Sequence, residues 1–162
     1  MKRLIRFFKR PLAEKYLLLA AAFILVLTRL GLWILPFQIL RELLESLSIE
    51  PRVFKNTAKV SVNEVARAID TASKCIPLPM SCLTRALAGQ VLLRQLHLDE
   101  RLCIGVAKND EGRLQAHAWI VSYGRVVIGY SKELSLYTLL PDLPYASTSR
   151  SSIRISPHRN SD

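Results

Sequence analysis

The sequence predicts an α+β fold in which apolar helices come first and an antiparallel meander of short strands follows. Three observations carry that expectation. The stretch after Cys82, LTRALAGQVLLRQLHL, is apolar on nearly all sides, as the buried central helix of a domain must be. From Leu102 the period changes to two, with Leu102, Ile104 and Val106 alternating against Arg101, Cys103 and Gly105. Turn signals at Asn109-Asp110-Glu111-Gly112 and Tyr123-Gly124 then divide the remainder into consecutive strands.

Taken in order, residues 1–50 form an apolar and basic N-terminal helical segment. Residues 16–37 contain Arg29, Gly31 and Pro36, so the unbroken apolar run is residues 16–27, short for a spanning helix. No small-x-small cleavage site follows, and the run leads into the helical pattern Leu40, Leu43, Leu44, Leu47. The expectation is helices that pack on the domain or lie on a membrane surface, favoured over a spanning helix and over a secretory signal. Residues 48–57 read as a linker. In residues 61–73, Val62, Val65, Ala66 and Ile69 stand at helical spacing, with Ser61 as N-cap and Glu64 as its capping-box partner. Pro77 and Pro79 make the next segment an extended loop that delivers the chain to Cys82. After the central helix, strands are expected at about residues 101–106, 113–122 and 125–128, with a fourth over 137–140. Residues 51–145 thus form the main domain, and residues 146–162, rich in Ser and Arg, a flexible basic tail.

Composition limits the function classes. The chain has 162 residues, half of them apolar, enough for one domain with a real core. Its formal charge is +10, with Lys2, Arg3, Arg6, Lys9, Arg10 and Lys15 crowded at the start and Arg150, Arg154 and Arg159 near the end. Such tails suit anionic lipid or an acidic peptide; without an aromatic platform, Zn-finger spacing or an Arg-lined helix, nucleic acid is not the expected partner. Three cysteines, Cys75, Cys82 and Cys103, with no CxxC spacing, indicate reduced thiols and a cytoplasmic protein associated with membrane, if at all, through residues 1–47. The three His and three Cys offer no metal-ligand spacing, and no cofactor is expected.

The chemistry centres on Cys82 and His117. A thiol in the first turn of a buried helix is stabilised as thiolate by the free N–H groups and the positive end of the helix dipole. The same N–H groups can hold the oxyanion of a tetrahedral intermediate. His117 lies in the second strand on the face of Gln115, Trp119 and Val121; if that strand packs across the start of the central helix, the imidazole can meet the sulfur. Taken alone neither residue is specific, because a buried Cys commonly serves as core filler and a strand His as a structural residue. Trp119 reads as a wall of the site or as plain core. Cys75 and Cys103 read as small apolar fillers, His97 as a solvent-facing helix end, and Arg85 as facing solvent or pairing locally.

Residues 82–129, CLTRALAGQVLLRQLHLDERLCIGVAKNDEGRLQAHAWIVSYGRVVIG, resemble the C-terminal protease domain of lasso peptide B proteins, the microcin J25-processing group. The likeness rests on the Cys-Leu-x-x-Ala-Leu helix opening, the Gly-Val strand ending and the Ala-His-Ala-Trp strand. The N-terminal helical segment with Leu35-Pro36-Phe37 is similar to the short stand-alone form of the family, whose leader-recognition domain is a separate small protein. The resemblance implies a papain-like, transglutaminase-like cysteine protease core with a Cys-His-Asp mechanism. It implies that Cys82 attacks at the leader–core junction of a precursor peptide and His117 protonates the departing amine. Implied partners are the precursor, a separate leader-recognition protein and a lasso cyclase.

The third triad member departs from the family pattern. A carboxylate is expected near Gly129, Tyr130 or Ser131, and none stands there. Glu133, Asp142 and Ser131 are the candidates, with Asp110 in the preceding turn and a backbone carbonyl as a neutral substitute. Two rival readings follow: a different acyl-transfer or amidohydrolase activity of the same superfamily, and a non-catalytic protein that binds a peptide or tethers a complex to the membrane.

Overall fold

The computed structural model describes residues 12–36, 39–40, 42–44, 60–109 and 111–140. Its first element, helix α1 (Leu12–Ile34), runs unbroken through Arg29 and Gly31, where the sequence predicted weakening. Gly31 is closely approached: a Cβ there would stand 2.3 Å from Leu40 Cδ1, so a larger residue would make the Leu40 side chain shift. Leu40 and Leu44 are buried in that return, whereas Leu43 is exposed. The stretch Glu14–Ile34 is long and apolar enough to cross a membrane. One face of it is nevertheless committed to protein, with Leu17, Leu18, Ala21, Ile24, Leu25 and Thr28 buried against the helices that follow.

Helix α2 (Val62–Cys75) begins with the expected capping box. The Ser61 N–H donates to Glu64 Oε2 at 2.7 Å, and the Glu64 N–H donates to Ser61 Oγ at 3.3 Å. Val65, Ala68, Ile69 and Ala72 form its buried stripe. Cys75 lies off that stripe at the last helical position and is exposed, so it is not the core filler its residue type suggested. Helix α3 (Cys82–Gln95) is the central element, with Thr84, Ala86, Leu87, Ala88, Gly89, Val91, Leu92 and Leu93 all buried.

The chain leaves α3 through His97, whose left-handed φ of 54° ends the helix at an exposed position. Glu100 then ties the return to the helix: its carboxylate accepts from Arg94 Nε at 2.8 Å and from Gln90 Nε2 at 2.8 Å. Strands β1 (Arg101–Lys108), β2 (Leu114–Ser122), β3 (Arg125–Ile128) and β4 (Thr138–Leu139) make one antiparallel sheet in the order β3-β2-β1-β4. The first three strands follow the predicted meander. The fourth pairs with β1 instead of continuing it past β3, with Gly105 opposite Leu139.

Two apolar clusters lie on opposite faces of this sheet. Ala118, Ile120, Ile128, Leu102 and Ile104 join the three helices in one core. Cys103, Trp119, Val121 and Leu134, with Val126 and Tyr137 packed against them, form a smaller cluster on the other side. Helix α1 thus shares one core with α2, α3 and the sheet. The predicted linker at 48–57 and the tail at 146–162 lie outside the described residues.

Candidate active site

Cys82 is the first residue of α3, half-buried at the edge of the main core. Its position follows from the sequence before it. Pro77 and Pro79 keep that segment extended, and Ser81 then caps the helix, its Oγ accepting from the Thr84 N–H at 3.2 Å. The cap satisfies Thr84 but leaves the N–H groups of Cys82 and Leu83 without intrahelical acceptors, directed past the helix start beside the thiol.

His117 is half-buried in β2, opposite Gly105 of β1. Its Nε2 lies 2.8 Å from the Gly129 carbonyl oxygen. A carbonyl can only accept, so Nε2 carries the proton and Nδ1 of the neutral ring is the free base. Trp119 stacks on the imidazole with centroids 5.9 Å apart and 22° between planes, and Tyr137 leans against it at 5.6 Å. Trp119 therefore walls the His117 ring and serves the smaller core at once. Tyr137 was not singled out from sequence, because only the β4–β1 pairing brings it beside His117.

The Gly129 carbonyl bonds the ring where a carboxylate was expected. Gly129 has φ +78°, and a Cβ there would stand 2.7 Å from the Ala118 carbonyl oxygen and 3.1 Å from Trp119 Cα. No residue with a side chain fits that position without displacement, so the strand end offers main chain instead of a carboxylate. Ser131 does not touch the ring: its Oγ accepts from the Glu133 N–H at 3.3 Å in the turn that follows. Glu133 is exposed and makes no bond to His117. Asp142 and Asp110 lie outside the described residues.

Cys82 and His117 sit at the same end of the helix–sheet layer. Gly89 packs on Ile128, which pairs with Ile120, and the C-terminal end of α3 bonds Glu100 at the start of β1. Seven residues of helix and three of strand, about 10 Å in each case, separate this level from Cys82 and from His117. The faces differ from the sequence expectation, however. Strand alternation turns Ala118 and Ile120 toward α3 and turns His117 with Trp119 to the other side, and no hydrogen bond joins the thiol to the imidazole.

Arg85, one turn beyond Cys82, keeps about a third of its side chain exposed (33%) but pairs across to α2, not within its own helix. Its Nη2 reaches Asp70 Oδ1 on α2 at 3.1 Å, and Asp70 also holds Lys74 at 2.6 Å. The bridge fixes the start of α3 on α2. Cys103 is buried in the smaller cluster beside Trp119. Among the described residues, no group of three or more His, Cys, Asp or Glu is placed to hold a metal ion.

No characterised protein and no solved structure matches the chain. A family profile described as the transglutaminase-like superfamily, whose members are typically cysteine-dependent enzymes, matches residues 22–141, from the middle of α1 through β4. With a half-buried cysteine opening a central helix and a histidine-bearing strand in the antiparallel sheet packed on it, the chain belongs to the transglutaminase-like superfamily.

Proposed function

We propose that this protein is a cysteine leader peptidase that removes the leader from a lasso-type precursor peptide, with Cys82 as nucleophile and His117 as acid and base. The observation that carries the reading is the protonation pattern imposed on His117. With Nε2 committed to Gly129, Nδ1 is the nitrogen available to accept a proton from a thiol.

In the reaction, Nδ1 takes the Cys82 proton while the sulfur adds to the carbonyl at the leader–core junction. The oxyanion is held by the N–H groups of Cys82 and Leu83. Collapse of the intermediate breaks the peptide bond, and His117 returns the proton to the departing nitrogen, which becomes the free N-terminus of the core peptide. Water then adds to the leader thioester with its proton passing to Nδ1, and the leader leaves as a carboxylic acid while Cys82 recovers its proton. Thiol and imidazole share no hydrogen bond in the free chain and His117 is on the sheet face turned away from α3, so this reading requires binding of the precursor with a separate leader-recognition protein to bring the two together. A lasso cyclase consumes the freed amine, and the reaction takes place in the cytoplasm.

The absence of a carboxylate on His117 among the described residues, with the unjoined pair, favours a second reading: a non-catalytic component that binds the precursor. A third, acyl transfer or amide hydrolysis on another substrate, shares the same residues. The test is the mass of a leader-bearing precursor after incubation with this protein and its recognition partner. Cleavage at one junction by the wild type and none by Cys82→Ala is the expected outcome. Binding without cleavage by both proteins would leave the binding reading in place of the enzyme.

A further inference from the structure

Helix α1 carries two apolar faces, and the fold uses one of them. While Leu17, Ala21, Ile24, Leu25 and Thr28 are buried against α2 and α3, the opposite side presents Leu19, Phe23, Leu30, Trp33 and Ile34 to solvent. Phe23 is 65% exposed and Trp33 85%. With Leu27, also exposed, Leu19, Phe23, Leu30 and Ile34 recur every three or four residues and Trp33 flanks them, so these side chains form one stripe along the helix; Ile39 and Leu43 are exposed beyond its end. Scattered apolar residues on a surface need no explanation, but a continuous stripe about 20 Å long does.

The charge at its head identifies the occupant. Residues 1–11 hold Lys2, Arg3, Arg6, Lys9 and Arg10 with no acidic residue, immediately before the helix. Tyr16 and Trp33, whose amphipathic rings suit a membrane–water interface, are both exposed on this helix. A second copy of the chain would bring like-charged segments together, whereas a bilayer rich in anionic lipid meets the basic head and the apolar stripe with complementary surfaces. Helix α1 is held to α2 and α3 by its inner face, an arrangement that suits a helix lying in the interface plane.

We infer that the outer face of α1, with the basic residues before it, is a docking surface for the anionic face of a lipid bilayer. The domain rides on the membrane with α1 in the interface plane and the Cys82 end of α3 carried on the protein side. This inference is independent of the peptidase reading and survives its failure.

The test is flotation of the full-length chain with phosphatidylcholine vesicles made with and without phosphatidylglycerol. Wild type is expected to float with the anionic vesicles only and to be released as salt is raised. Phe23→Ser with Trp33→Ser, at exposed positions that leave the core intact, is expected to abolish flotation while circular dichroism and melting stay unchanged. Replacing Arg3, Arg6 and Lys9 by Gln is expected to weaken binding by about 100-fold. The inference would be overturned by no flotation of wild type, by flotation undiminished in the Phe23/Trp33 variant, or by a stable dimer in sedimentation that the same variant dissociates. Retention in bacterial membranes after alkaline carbonate washing would replace the in-plane helix with a spanning one and overturn it equally.

Discussion

Replacing Gly129 by alanine perturbs fold and site through one atom. The residue is left-handed at φ +78°, which costs a side-chain-bearing residue about 1 kcal/mol. The new Cβ would also stand 2.7 Å from the Ala118 carbonyl oxygen and 3.1 Å from Trp119 Cα and Cβ. Those neighbours are backbone and a packed indole, so the strand end itself must retreat, at a further cost of roughly 1–3 kcal/mol. Gly112 separates the two contributions, because it has φ +74° with nothing within 4 Å of an added Cβ. Gly112→Ala should therefore lose only the conformational part, about 1 kcal/mol, and Gly129→Ala roughly 2–4 kcal/mol in total. In thermal melts the second loss is a fall of roughly 5–15 °C. The retreat also withdraws the carbonyl 2.8 Å from His117 Nε2, so nitrogen-15 spectra should show the ring losing its fixed tautomer and precursor cleavage should fall with it. Equal melting shifts for the two variants, with the His117 tautomer unchanged, would refute the close approach and the role given to Gly129.

Other consequences are as definite. The Ser61 backbone N–H and then its hydroxyl hold the Glu64 carboxyl below the usual carboxylate range, so its stabilisation is present at neutral pH and lost as pH falls through that lowered value. Glu64→Ala should accordingly cost about 0.5–1 kcal/mol in urea unfolding at pH 7 and progressively less in acid. Glu100→Ala should cost about 2 kcal/mol by the same assay, because it strips Arg94 and Gln90 of a largely buried carboxylate. Tyr123 has φ 46° beside Gly124 at 75°, a turn that Asn-Gly fits better, and Tyr123→Asn should raise stability by about 0.5–1 kcal/mol.

Much of this fold is legible in sequence because each element is announced locally. The capping box at Ser61 and Glu64, the prolines before Cys82, the period-two strands and the Tyr123-Gly124 turn all act within a few residues of themselves. Long-range choices are not announced in that way. Arg29 and Gly31 look like helix weaknesses until Leu40 is seen packed over Gly31, and Arg85 looks solvent-bound until α2 brings Asp70 to it. The site divides along the same line. Helix phase places Cys82 at a helix start, but the face on which His117 sits relative to α3 depends on which side of the sheet the helices cover. The orienting acceptor was sought among side chains, whereas Gly129 supplies a carbonyl that residue type cannot advertise; its glycine, where the pattern wanted a carboxylate, was the available signal.

The most direct measurement is the intact mass of this protein, quenched in acid during turnover with a leader-bearing precursor and the recognition partner. A leader thioester must accumulate or pass through Cys82 if the proposed chemistry operates. The prediction is an adduct of leader mass that maps to Cys82, is removed by hydroxylamine and is absent from Cys82→Ala. Cleavage of the precursor at an undiminished rate by Cys82→Ala, with no adduct on the wild type, would contradict it.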